Sequence, residues 1–201
     1  MNKIFTDAIN EFNNRNINLD PHPFHFRIFN PKISLLEGMR AVMHHDVVWL
    51  NGYDEIVDWL NDNYNKGLLL IGPTGVGKTE ICMKVIPLIF WAVLKRIISR
   101  FSATDLSNPK NYKEAMTNTL LVVDDVGTET IYNNYGTQHI VFSEIVDRIE
   151  KDGVLLIANT NLSDIELQNK YGIRTMDRIR GNMRIVIICE DSLRGHFEKI
   201  L

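Results

Sequence analysis

The chain has 201 residues, 45% hydrophobic and 23% charged, with a formal net charge of −3. That length allows one sizeable core but leaves two full domains cramped, and the charge excludes a broadly basic nucleic-acid coat. Cys82 and Cys189, the only cysteines, both lie in apolar stretches. They read as buried, reduced thiols rather than a disulfide or metal pair. The longest charge-free apolar run, residues 85–94, contains Pro87 and is far short of the ~20 residues that span a bilayer. Acidic Asp7 and Glu11 follow the N-terminus closely, unlike a signal peptide. The expectation is a soluble, cytoplasmic protein with no membrane partner.

In chain order, residues 3–13 suit a short helix with Ile4, Phe5, Ala8, Ile9 and Phe12 on one side. Asp20-Pro21-His22-Pro23 breaks the chain. Ile56, Trp59 and Leu60 then mark an amphipathic helix that should end near Lys66-Gly67. From residue 67 onward, apolar runs at 68–71, 97–101, 120–123, 154–158 and 185–188 alternate with helical patterns at 79–93 and 138–151. Such runs suit strands buried on both faces, so the pattern predicts a layered α/β domain with a five-stranded parallel sheet. Pro87 should kink or split the helix over 79–93, because it removes a ladder hydrogen bond. The expected division is an N-terminal segment, 1–47, and a catalytic domain, 48–201.

Gly72-Pro73-Thr74-Gly75-Val76-Gly77-Lys78-Thr79 fits the Walker A pattern, with an apolar strand before it and an apolar helix after it. The glycines let the backbone wrap phosphates, and the helix N-terminus adds partial positive charge. Lys78 is expected to reach the β- and γ-phosphates of ATP, and the Thr79 hydroxyl to coordinate Mg²⁺. Thr119-Leu120-Leu121-Val122-Val123-Asp124-Asp125 has the form of a Walker B strand. Asp124 would hold the metal, largely through water, since Mg²⁺ keeps much of its hydration. Asp125 would orient and polarise the attacking water. Asp is one methylene shorter than the Glu common at this position, which leaves room for a slow enzyme or for help from Glu129.

These blocks are joined by Ile157-Ala158-Asn159-Thr160-Asn161-Leu162-Ser163 and by Tyr171-Gly172-Ile173-Arg174-Thr175-Met176-Asp177-Arg178-Ile179. Over roughly residues 48–195, in this order, the sequence resembles the AAA+ helicase loaders of the DnaC type and the related IstB transposition helpers. The combination Asp-Asp-x-Gly-x-Glu with Tyr-Gly-x-Arg-x-x-x-Arg carries more of that likeness than the phosphate loop does. The resemblance implies a three-layer P-loop NTPase of the AAA+/ASCE kind behind a short N-terminal helical segment. It further implies that Asn161 acts as sensor 1, with Asn159 as the competing candidate. Arg178 would be the arginine finger supplied to a neighbouring subunit, with Arg174 as its alternative, and Arg194 would be sensor 2. Only about a dozen residues follow the fifth strand, so a full C-terminal lid is not expected.

What the resemblance implies in function is slow ATP hydrolysis coupled to assembly. The implied partners are a replicative helicase, single-stranded DNA and further copies of the chain, or alternatively a transposase. A P-loop small-molecule kinase is the reading from a different class, and it calls for a closing lid. Trp49, Tyr53, Trp59 and Trp91 are expected in the core rather than stacked on bases. His44-His45 has no accompanying Cys or carboxylate cluster, so no metal site is assigned there.

Overall fold

The computed structural model describes residues 3–15, 21–43, 46–129, 132–134 and 137–189. The five apolar runs form strands β1 (Gly67–Ile71), β2 (Ser99–Ser102), β3 (Leu120–Val126), β6 (Leu155–Thr160) and β7 (Met183–Ile187). They make one parallel sheet in the order β2-β3-β6-β1-β7. Alternate side chains of a strand point to opposite faces, and the two cores follow that rule. Leu68 and Leu70 of β1, with Ile157 of β6, enter one core, while Leu69, Leu156 and Ala158 enter the other. Helices cover both faces, which is why the central strands β1, β3 and β6 read as nearly unbroken apolar runs, while the edge strands β2 and β7 are only partly buried.

The first core is closed by α2 (Pro31–Val42), α3 (Gly52–Asn61) and α4 (residues 78–94), through Leu35, Met39, Ile56, Trp59, Val85 and Phe90. The second is closed by α5 (Pro109–Ala115), α6 (Val141–Asp152), α7 (Asp164–Tyr171) and α8 (Ile173–Asn182). Helix α1 (Lys3–Asn14) precedes them, with Ile4 and Phe5 exposed. Among the described residues, no helix is long and apolar enough to cross a membrane.

Residues on the N-terminal side of the expected 47/48 division share the first core, where Phe26, Ile28, Leu35, Met39 and Met43 are buried. This segment is also stitched to the turn before β1. Phe26 N–H donates to Asn63 Oδ1 at 3.0 Å, and Asn63 Nδ2 to the Phe24 carbonyl at 2.9 Å. Asp62 accepts from Arg27 Nε at 2.6 Å and from the Tyr64 N–H at 2.8 Å, and pairs with His25 Nε2 at 3.0 Å. Of the two outcomes expected at Pro87, a split does not occur: helix α4 runs through it, with π turns at Ile81–Val85 and Phe90–Leu94. The Met83 carbonyl, which a proline four residues on cannot serve, accepts instead from Arg100 Nη1 at 2.8 Å. The helix expected from residue 138 starts at Val141, since β4 (Tyr132–Asn134) and β5 (Thr137–His139) form an antiparallel hairpin before it. Cys189 and Trp91 are exposed rather than buried, while burial pushes the Cys82 thiol up to about 12.

Candidate nucleotide site

Strand β1 pairs with β6 on one side and β7 on the other, while the chain leaves β1 for β2 at the far edge. The loop after β1 therefore opens at a switch point above the carboxyl ends of the strands, where open α/β sheets bind ligands. There Gly75 (φ 96°) and Gly77 (φ 80°) hold the left-handed backbone that wraps the loop. A Cβ on Gly77 would also meet the Tyr53 hydroxyl at 2.9 Å. Helix α4 begins at once, with the Ile81 N–H donating to the Gly77 carbonyl at 3.0 Å.

Lys78 is buried, and its ammonium donates to the Gly72 and Pro73 carbonyls at 2.8 Å and to Asn161 Oδ1 at 2.7 Å. Strands β1, β3 and β6 thus bring Lys78, Asp124, Asp125 and Asn161 around one cavity of about 570 Å³, together with Thr74, Gly75, Gly77 and Thr79. That volume is in the range of small-molecule and cofactor sites.

Two adjacent carboxylates at a strand end repel one another and must be arranged. Asn159, fully buried in β6, donates through Nδ2 to Asp124 Oδ1 and accepts the Asp125 N–H at 3.2 Å. It ties the pair together, while Asn161, just past the strand, faces the cavity. The strand shifts register between Val123 and Val126, and Asp125 takes φ 53°, an uncommon backbone state for a non-glycine residue. This turns the second carboxylate toward the cavity. Burial lifts the Asp125 carboxyl above its ordinary range; the Asp124 charge adds to the rise and Lys78 opposes it. Glu129 stands apart: its oxygens accept from the Gly127 N–H at 2.9 Å and from the Tyr171 hydroxyl.

Arg178 is half-buried and paired within its own chain, with Asp147 and with Glu150 at 3.0 Å. Arg174, one turn earlier on α8, is exposed. Because α8 leads directly into β7, its first turn lies toward the phosphate-loop edge of the sheet. Arg178 lies about 6 Å lower. Arg194 and His44-His45 fall outside the described residues.

The cavity has a wall that sequence reasoning did not find: Met39, Met43, Val48 and Tyr53. Tyr53 donates its hydroxyl to the Val76 carbonyl at 2.9 Å, bracing the loop between its glycines. A signal existed for Tyr53, which precedes Ile56 and Leu60 at helical spacing on a buried face. For Met39 and Met43 the signal was Pro31, a favoured helix start.

The residues fit nucleotide and metal. The loop supplies backbone donors and a buried ammonium for phosphates, and Thr79 with Asp124 supplies hard oxygen ligands suited to Mg²⁺. No cluster of three His, Cys, Asp or Glu side chains suited to a metal occurs among the described residues, and a nucleotide-bound Mg²⁺ takes its other ligands from phosphate and water.

No protein-family model and no curated protein matches the chain. Among solved structures, DnaI is similar at 20% identity and a TM-score of 0.53, covering 81% of this chain and 96% of that one. A candidate primosome component from Streptococcus pyogenes serotype M3 is similar at 16% identity and a TM-score of 0.52, covering 83% of each chain. The DnaC helicase loader aligns over 81% of this chain and 93% of its own, at 18% identity and a TM-score of 0.49. With the Walker elements placed as above, the chain has a three-layer P-loop NTPase fold, built on five parallel strands and similar to that of DnaI.

Proposed function

We propose that this protein binds ATP with Mg²⁺, hydrolyses it slowly, and uses nucleotide state to govern assembly with a replicative helicase on single-stranded DNA. The observation that carries the ATPase reading is the convergence of Lys78, Thr79, Asp124, Asp125 and Asn161 on one cavity. A phosphate oxygen entering the loop competes with the Gly72 and Pro73 carbonyls for the Lys78 ammonium, and its full charge makes it the stronger partner. Thr79 and Asp124 would hold the magnesium ion, which when bound neutralises charge on the transferring phosphoryl group. Asp125 orients and polarises the attacking water, and Asn161 supplies a polar contact to that water or to the γ-phosphate. Met39, Met43, Val48 and Tyr53 offer an apolar wall for the base.

Assembly is read from the arginines. An arginine that serves a neighbour must reach outward, and Arg178 is engaged with Asp147 and Glu150. Arg174, exposed on the turn nearer the phosphate loop, takes the role that the sequence resemblance gave first to Arg178. The helicase-loading role rests on the motif resemblance and on likeness to a primosome component. The exposed apolar side of α1 is the partner-contact surface in this reading. Affinity capture from native extract with ATP present tests it. Recovery of a replicative helicase, lost when ATP is replaced by buffer, is expected; recovery of a transposase, or phosphorylation of an added small molecule, would contradict it.

A further inference from the structure

Glu129 is a buried carboxylate close in sequence to the catalytic pair, yet it does not line the nucleotide cavity. Its two oxygens are held by different elements. One accepts the Gly127 N–H at 2.9 Å, inside the turn that follows Asp125, and the other accepts the Tyr171 hydroxyl at the end of α7. Tyr171 is itself fixed, its ring 5.0 Å from that of Phe142. The preceding residue grips the same turn, since Lys170 Nζ donates to the Gly127 carbonyl at 2.7 Å. The turn closes on Asp125 directly: the Thr128 N–H and hydroxyl both donate to the Asp125 carbonyl, at 3.1 and 2.8 Å. Gly127 leaves no slack, because at φ 106° a Cβ there would meet Leu162 Cδ1 at 2.4 Å.

The Asp125 backbone is held in an uncommon state, and such a state persists only when its surroundings over-determine it. Asn159 holds the Asp125 N–H, and Glu129, Tyr171 and Lys170 hold the turn that follows it. Tyr171 is followed by Gly172, at φ 83°, and then by the first turn of α8, which carries Arg174. One buried hydrogen bond therefore joins the turn that aims the second carboxylate to the end of α7, two residues before the helix that carries Arg174.

We propose that Glu129 and Tyr171 are positioning residues of the hydrolytic site, a strut that holds Asp125 in aim and ties its position to that of Arg174. This rests on the ATPase reading above. It also assigns Glu129 a role other than that of a spare base, since both of its oxygens are occupied.

The test uses Tyr171→Phe, which keeps the ring and removes the hydroxyl, alongside Glu129→Gln and the double variant. ATP turnover and backbone amide exchange are measured on the full chain with its partners. A strut predicts kcat lower by about ten- to a hundredfold in Tyr171→Phe, as small misplacements of a reacting group produce. KM for ATP should stay within about twofold, and the double variant should lose no more than the worse single one. Exchange of the Gly127 amide should quicken by about tenfold or more. Unchanged kcat with only a lower melting temperature would reduce the pair to packing and overturn the proposal, as would additive losses. If the wild-type chain turns over no ATP under any condition, the ATPase reading fails. Exchange at Gly127 then decides the strut alone, and rates unchanged in both single variants reject it.

Discussion

Lys78 is the residue on which the proposed phosphate site depends. Its buried ammonium already sits among three acceptors that define the mouth of the loop, so a charged phosphate finds it oriented. Lys78→Ala should lower ATP–Mg²⁺ affinity by at least about tenfold, in keeping with ~1.5–3 kcal/mol for a hydrogen bond to a charged group. Calorimetry on the folded variant measures this, and unchanged affinity would remove the site from the loop. Asp125→Asn should bind ATP normally while turnover falls by about 10²–10⁴. At this scale the Walker residues were legible, because glycine spacing and a strand ending in acids are local patterns. The tie supplied by Asn159 was not, since an asparagine 35 residues downstream from Asp124 becomes its partner only once β6 lies beside β3.

Among the elements, the central strands β1, β3 and β6 were plain in the sequence for a physical reason: burial on both faces leaves no polar alternation to misread. Helix α2 was not. Its packing against α4 depends on Gly38, where a Cβ would meet Val85 Cγ1 at 2.9 Å, and a mid-helix glycine weakens the helical pattern. The three-residue strands of the hairpin are too short to show a period at all. The segment that carries α2 is anchored by Asp62, and this anchor should be visible in acid. The Tyr64 N–H foremost, with His25 and Arg27, holds the Asp62 carboxyl down at about 2 against the opposing effect of burial. Lys66 and Arg184 line the same small cavity. In the unfolded chain the group returns to ~3.9. The folded pKa is the lower one, so its stabilisation is complete above about pH 4 and is lost as pH falls toward about 2. Asp62→Asn should therefore lower the melting temperature at pH 6 and flatten its decline between pH 4 and 2. An equally steep decline in the variant would show that other carboxylates govern acid unfolding.

At the scale of the whole molecule, the Gly72–Thr79 loop and the carboxylates Asp124 and Asp125 line one cavity at one edge of the sheet, and the proposed function adds an outward arginine, Arg174. In the proposed reading, complete sites would form by head-to-tail contact between copies. Loss of an arginine supplied in trans costs ~10³–10⁵ in rate in related phosphoryl-transfer systems. The direct measurement is ATP turnover by Lys78→Ala, by Arg174→Ala, and by their equimolar mixture, with Arg178→Ala run in parallel. Each variant alone should be nearly inactive. In the mixture, a site is whole when an Arg174→Ala subunit receives its arginine from a Lys78→Ala neighbour, which random assembly allows about one time in four. Recovery approaching a quarter of the wild-type rate is expected. A mixture no more active than its separate components, together with a wild-type rate per subunit that is flat across concentration, would contradict the shared site and leave a self-contained ATPase.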